Sequence, residues 1–470
     1  MSAHPLPLPA EVFAARRVAL AQRVGRPVLL LGNGLRARNL PKYSVEFRQD
    51  SNFLYFTGCA MPNAAAILDA DGRCTLFAPL PAEDDALWHG VVDGPEALRA
   101  RYAVDDLRDI AELESAALGL GLPTLAIPDE DVNRLGARLT GLPLRFGVDH
   151  GDDALVSAVI EMRSRKSEAE LVELRRIAGI TAQAFRVAMA ATRPGGHESH
   201  IAALFHGALA AHGLTTGYHS IITVRGEILH NPDYVNTMAA GQLLLLDGGG
   251  EGAAGYTVDI TRTWPVDGRF SGRQRAVVEA VLAAQLASID LVRPGVRYRD
   301  VHMRSAEVLA QFLCDEGLLR GGVEAALATH AHALFFPHGV GHLLGLDVHD
   351  LETYGDRPAY APGRVRSTEF GTAYLRLDLD LLPGHLVTIE PGFYVVPAIL
   401  HDPVLRARFK DQVDWDRAES WIGFGGVRIE DDVVCTEGDP EVITRETPKD
   451  IATLESLIGQ GPSALERLSP

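Results

Sequence analysis

The chain has 470 residues, 47% of them hydrophobic and 23% charged, with a formal net charge of −18. Those fractions describe a globular chain long enough for two or three domains and exclude the disordered, collagen-like and disulfide-stapled classes. An acidic excess of that size repels nucleic acid and anionic lipid, so neither is expected as a partner.

The N-terminal stretch MSAHPLPLPAEVF has no basic start and no apolar h-region, so no signal peptide is expected. Residues 10–23 are predicted as a helix, 27–31, 64–68 and 74–77 as strands, and 131–139 as a second helix. The mixture reads as an α/β domain. Cys59, Cys74, Cys314 and Cys435 are too far apart for zinc-finger or thioredoxin spacings, which points to a reducing, cytoplasmic setting. A charged segment, Glu161 to Lys166, has no apolar periodicity and marks the expected boundary between domains 1–165 and 166–470.

Past it, Ser167 and Glu170 form a capping-box pair. Leu171, Leu174, Ile177, Ile180, Ala184 and Val187 then step along one helical face as far as the stop Arg193-Pro194-Gly195. The pattern recurs about a hundred residues on. Val278, Leu282, Leu286 and Ile289 form a second stripe, stopped by Arg293-Pro294-Gly295. Each stop leads into another helical pattern, 201–211 and 301–313, and then into a strand-rich stretch. Two helix–stop–helix–strand units suggest an internal duplication, with a site lined from both halves at a pseudo-two-fold seam. The longest apolar runs, such as Leu243 to Leu246, are strand-sized and too short to span a membrane.

Five candidate metal ligands stand out by context. Asp247 ends the run LLLLD, Asp259 lies in TVDITRTW, and His342 in PHGVGHLLGLDVHD; Glu390 ends LVTIE before Pro391-Gly392, and Glu430 lies in GGVRIEDDVV. One acid at a strand end is usually a solvated cap, and His338 with His342 at helical spacing could equally be two packed histidines. The set carries the weight. Burying carboxylates is costly unless they are paired or hold a cation. Four carboxylates and an imidazole balance two divalent ions that share a water. The oxygen-rich donors favour Mn²⁺, with Zn²⁺ and Co²⁺ as alternatives.

Those segments resemble the pita-bread metallopeptidases, whose ligand order is Asp, Asp, His, Glu, Glu. Asp247 and Asp259 fall in a D-x-G-x-E…D-I-T-R-T segment, His342 in H-G-x-G-H-x-x-G-x-D-x-H-D, Glu390 in E-P-G-x-Y, and Glu430 in G-G-x-R-I-E-D-D. Phe47-Arg48-Gln49 through Phe56-Thr57-Gly58, and Tyr102 to Asp106, resemble the N-terminal domain of the family's proline-specific branch. The resemblance implies an α+β fold, in which a C-terminal pita-bread domain with pseudo-two-fold duplication follows a smaller α/β domain. It implies a two-metal exopeptidase for Xaa-Pro bonds, with a proline-containing di- or oligopeptide as partner and a homodimer or homotetramer as assembly. In it Glu390 is ligand and proton acceptor, His338 and His349 hold the scissile carbonyl and the intermediate, His230 lines the pocket, and Arg428 hydrogen-bonds beside the metals.

Within the branch the expectation leans to prolidase, an Xaa-Pro dipeptidase, over aminopeptidase P. Long inserts set His349 and Glu390 41 positions apart, and Glu390 and Glu430 40 positions apart. Arg376, in Tyr374-Leu375-Arg376, matches the prolidase arginine that binds the dipeptide carboxylate; a guanidinium fork offers that group two parallel donors. Trp264 and Phe393 are candidate pocket neighbours. Three departures stand against the pattern: the Asp247–Asp259 interval is one residue longer than the usual spacing, Asn231 replaces a tyrosine, and Leu-Asp-Leu-Asp follows Arg376. The extra residue could be absorbed in a turn at Gly252-Ala253-Ala254-Gly255; within the strand it would aim Asp259 at the wrong face.

Overall fold

The computed structural model describes residues 8–40, 43–80, 87, 90 and 93–468. Helix α1, Ala10–Val24, stops at Gly25, which takes the left-handed conformation (φ 70°) that a side chain resists. Strands β1 (Val28–Leu31), β2 (Ala65–Leu68), β3 (Cys74–Ala78) and β4 (Asp106–Asp109) form one sheet in chain order, the first pairs antiparallel and the last parallel. Side chains alternate across it. Leu29, Leu31 and Phe77 pack with Leu139 of helix α2, Glu130–Thr140, on one face. Val28, Leu30 and Leu76 pack with Phe13 and Leu20 of α1 on the other.

The charged boundary segment is no loop. Helix α3, Asp153–Ser164, runs through Glu161–Ser164 on a stripe begun by Leu155, Val156 and Val159. Arg163 and Lys166 are buried, because carboxylates of the following domain satisfy them.

Helix α4, Glu168–Ala191, starts at the Ser167–Glu170 capping box. It ends at the Arg-Pro-Gly stop, where Gly195 has φ 82°, and α5, Glu198–Ala210, follows. Strands β5 (Ile221–Thr223), β6 (Leu243–Asp247) and β7 (Thr261–Pro265) then make an antiparallel sheet with β6 central. The second unit repeats the plan. Helix α6 (Gly272–Ile289), a stop with Gly295 at φ 81°, and α7 (Tyr298–Asp315) lead to β8 (Leu386–Ile389), which pairs with β11 (Asp431–Val434). Between them β9 (Gly392–Tyr394) pairs with β10 (Gly426–Arg428).

The stripe predicted on α6 is only partly the buried one. Leu286 is 50% exposed, and the inward face is Val277, Val278, Val281, Ala284, Gln285 and Ser288. Small residues let α6 and α7 approach closely, with Ser288 and Ser305 hydroxyls 2.7 Å apart, and Gln285 is satisfied by Asp431 at 3.0 Å.

The two halves join along a seam. Thr261 of β7 bridges to Glu430, and Thr263 Oγ1 and the Arg428 backbone exchange hydrogen bonds. Strand ends that carry acids therefore meet in one place. Among the described residues no helix is long and apolar enough to cross a membrane.

Candidate metal centre

Strand β6 delivers Asp247 to the seam. The chain then turns through residues 252–255: Gly255 N–H donates to Gly252 O, and Gly252 N–H to Tyr256 O. The ladder beyond that turn is in register, with Thr261 opposite Asp247. Asp259 consequently faces the same way as Asp247. The Tyr218 hydroxyl lies 2.8 Å from Asp247 Oδ1 and also contacts Asp259 Oδ1.

His342 comes from a loop; the expected helical spacing with His338 is not realised as a helix. Its Nδ1–H donates to Leu343 O at 3.0 Å, which leaves the Nε2 lone pair 3.5 Å from Asp259 Oδ2 and 3.9 Å from Glu390 Oε1. Glu390 follows β8 and Glu430 lies between β10 and β11. Ligand atoms of Asp259, His342 and Glu430 all fall within 4.8 Å of one another.

A divalent pair fits this donor set. Among the described residues the four carboxylates share one close permanent cation, Arg428, which is 4% exposed and donates to Asp247 Oδ2 at 2.5 Å. Burial drives Asp247 up to about 6 and Glu390 to about 7, and raises Glu430 well above the usual carboxylate range; neighbouring acids add to it. Burial pulls the His342 imidazole down, but Asp259 and Glu390 outweigh it and raise its pKa. Anions that take up protons in this way are anions short of positive charge. With only oxygen and imidazole donors, the set suits Mn²⁺, Zn²⁺ or Co²⁺.

A second layer fixes these ligands. Thr261 Oγ1 accepts from Arg428 Nε at 3.0 Å and donates to Glu430 Oε2 at 2.6 Å. Arg428 Nη1 donates to the Tyr394 hydroxyl at 3.0 Å, which lies 2.9 Å from His338 Nε2. His338 Nδ1–H is committed to Gly339 O at 2.8 Å, so Tyr394 O–H donates to Nε2. Burial lowers His338 to about 3 and His349 to about 2, so both rings are neutral.

All ten residues expected at the site line one cavity of about 690 Å³: Asp247, Asp259, His342, Glu390, Glu430, His338, His349, His230, Arg376 and Arg428. Trp264 and Phe393 do not. Trp264 is fully buried, with its indole N–H on Thr192 Oγ1, and Phe393 stacks on Phe335 in the core. The insert after His349 supplies Arg366, Tyr374 and Arg376 to the cavity wall.

Sequence reasoning missed the residues that hold the His349 loop. Asp350 accepts from Arg163 Nη2 at 2.6 Å and Lys166 Nζ at 2.9 Å, and Arg163 also donates to Asp347 at 2.9 Å and Asn52 at 2.6 Å. Gly345 leaves the room: a Cβ there would stand 2.8 Å from Lys166 Nζ. The next residue, Leu351, is buried with φ 66°, a strained conformation that the surrounding contacts must hold. Asp350 belongs to a motif already singled out, but nothing near Arg163 in sequence reveals its partner 187 residues away.

Residues 172–437 match the family described as Metallopeptidase family M24, and residues 13–120 match the Aminopeptidase P N-terminal domain. The chain is 31% identical to a human protein named Xaa-Pro dipeptidase, over 96% of this chain and 94% of that one. It is 32% identical to a Verticillium alfalfae protein named Probable Xaa-Pro aminopeptidase, over 88% of each. Among solved structures it is similar to Pseudomonas aeruginosa aminopeptidase PepP, with TM-score 0.77 and 30% identity over 96% of this chain and 98% of that one. Proline aminopeptidase P II from Yersinia pestis matches at the same TM-score and identity, over 96% and 99%. With its carboxylate–imidazole centre built at the seam of a duplicated domain, the chain belongs to metallopeptidase family M24, in the form that carries an aminopeptidase P N-terminal domain.

Proposed function

We propose that the protein is a two-metal exopeptidase for Xaa-Pro bonds and acts as an Xaa-Pro dipeptidase, with manganese its favoured metal. The observation that carries the reading is the convergence of ten chemically matched side chains on one cavity of about 690 Å³. The relatives named Xaa-Pro dipeptidase and Xaa-Pro aminopeptidase support the bond. The dipeptidase lean rests on Arg376, which reaches the cavity from the insert and is close enough to His349 and His230 for its charge to help keep both imidazoles neutral.

A bound divalent pair supplies a water of lowered pKa and polarises the scissile carbonyl. Asp247, Asp259, His342, Glu390 and Glu430 are the groups to hold it. Glu390 takes the proton lost when water adds to the carbonyl carbon, and delivers it to the proline nitrogen as the C–N bond breaks. His349, neutral, borders the carbonyl oxygen and stabilises its developing charge, while His338, whose ring nitrogens are taken by Gly339 O and the Tyr394 hydroxyl, packs against the carbonyl and holds its position. Tyr394 and Arg428 fix the His338 ring and Asp247. An Xaa-Pro bond has no amide N–H and a rigid ring, so a cavity that asks for no backbone donor there accepts it. Arg376 receives the free carboxylate of a dipeptide.

A second reading, aminopeptidase P, is favoured by one contact: Arg376 Nη1 already donates to Glu352 Oε2 at 2.7 Å. Hydrolysis of Ala-Pro and Ala-Pro-Ala with added Mn²⁺ decides. The dipeptidase reading expects the dipeptide to be the better substrate. Equal or better cleavage of the tripeptide assigns the aminopeptidase, and cleavage of neither contradicts an Xaa-Pro peptidase. The four cysteines, all free, fit the cytoplasmic setting expected for it, and self-association as a dimer or tetramer is part of the proposal.

A further inference from the structure

The insert brings two arginines to the cavity, and each is already paired. Arg366 donates Nη2 to Asp356 Oδ1 at 2.6 Å and Nη1 to Leu375 O at 2.9 Å. Arg376 donates Nη1 to Glu352 Oε2 at 2.7 Å. The same Glu352 oxygen lies 3.6 Å from His349 Nδ1. Its other oxygen, Oε1, is buried without a hydrogen-bond partner among the described residues. Glu352, Arg376 and His349 are each about one-third exposed at the side chain (32%, 37% and 38%), so this cluster borders the space a substrate enters.

The Glu352 carboxylate takes one Arg376 donor, Nη1, and balances the guanidinium charge that would draw a substrate carboxylate. A dipeptide must compete with Glu352 for Arg376 and brings a second negative charge beside it. A longer peptide, which presents an uncharged carbonyl there, meets an arginine whose charge is already balanced. The pair is part-exposed, so solvent screens it and displacing it costs little.

We propose that Glu352 is a specificity-determining residue: by masking Arg376 it lowers the enzyme's preference for a free carboxylate directly after proline and admits longer Xaa-Pro peptides. The inference rests on the Xaa-Pro reading above and sharpens its substrate class. Glu352 touches no reacting atom; it acts through the charge of Arg376.

The test compares kcat and KM for Ala-Pro and Ala-Pro-Ala in the metal-loaded full chain, its Glu352→Ala and Arg376→Ala variants, and the double variant. Glu352→Ala is expected to raise the ratio of kcat/KM for Ala-Pro over Ala-Pro-Ala by about fivefold, through KM for the dipeptide. Glu352→Gln, which keeps an oxygen but not the charge, falls between. In the Arg376→Ala background the Glu352 substitution no longer moves the ratio. A ratio that stays the same or falls in Glu352→Ala, while wild type cleaves both peptides, overturns the proposal. So does an equal drop in kcat for both peptides, which would make Glu352 only a support for His349. Wild type that cleaves neither peptide fails at an earlier point: it overturns the Xaa-Pro reading itself.

Discussion

The two histidine-bearing walls of the cavity are built differently. On one side His338, Tyr394, Arg428 and Asp247 form an unbroken hydrogen-bonded series, and Arg428 and Tyr394 are buried. Every polar group there has a fixed partner, as a charged network in low dielectric requires. On the other side His349, Glu352 and Arg376 are part-exposed, with His349 Nδ1 3.6 Å from Glu352 Oε2 and the other Glu352 oxygen unpartnered among the described residues. The first wall is preorganised, and holds Asp247 and the His338 ring in one arrangement. The second can rearrange around whatever follows proline. Ligand positioning and substrate length are thus assigned to separate walls.

The His349 wall is not unsupported, however. The residue after His349 is anchored from the N-terminal side by Arg163 and Lys166, so the loop's base is as buried as the opposite wall and only its tip is open. This gives the N-terminal domain a part in the site without a side chain in the cavity.

The contrast can be broken at graded points. The largest effect is expected from Glu390→Gln, which removes a ligand charge and the proton acceptor while preserving shape. Turnover of Ala-Pro should fall about a thousandfold or more with the circular dichroism spectrum unchanged. A variant that keeps a tenth of wild-type turnover removes Glu390 from that role.

Next is Arg163→Met, which breaks one buried ion pair of Asp350 and leaves its carboxylate to Lys166 alone. Breaking a buried ion pair costs about 3–5 kcal/mol, read as a lower urea midpoint, and kcat should fall with it because His349 loses its anchor. A pH series adds a sign. Burial pushes Asp350 up, but Lys166 and Arg163 outweigh it and hold its pKa below the usual value. Its contribution is therefore present at neutral pH and lost as pH falls through the lowered pKa. Asp350→Asn should flatten that acid limb. A midpoint for Arg163→Met within about 0.5 kcal/mol of wild type would show that the anchor does nothing.

The smallest of the three is Tyr394→Phe. It removes one hydroxyl between His338 and Arg428, and about a tenfold fall in kcat with little change in KM is expected. A change confined to KM would move Tyr394 to substrate binding and blur the division between the walls.

Much of this was readable in the sequence, for identifiable reasons. Strands β1–β3 and helices α1 and α2 announce themselves through alternation and helical periodicity, and their predicted limits are right to within a residue or two. The four carboxylate candidates sit at or near strand ends, and His342 in a loop, each in a distinctive local pattern. What the sequence hides is contact at long range. Tyr218 spans Asp247 and Asp259 from 29 and 41 residues away, and no spacing signals it. Arg163 looked like part of a charged boundary because its acidic partners lie in another domain. Trp264 and Phe393 looked like pocket walls because aromatic residues near a ligand can face either way, and these two face the core. On α6 the buried face carries Ala284, Gln285 and Ser288 beside its valines, residues that hydrophobicity alone ranks below the exposed Leu286.

The central claim is that four carboxylates and one imidazole hold two divalent ions in this cavity. Elemental analysis of the purified chain after Mn²⁺ loading and gel filtration tests it most directly, alongside Glu430→Ala. About two ions per wild-type chain, with fewer in the variant and Ala-Pro hydrolysis that chelator abolishes and Mn²⁺ restores, is the predicted result. A wild-type chain that retains no metal and hydrolyses nothing when metal is added would contradict the account.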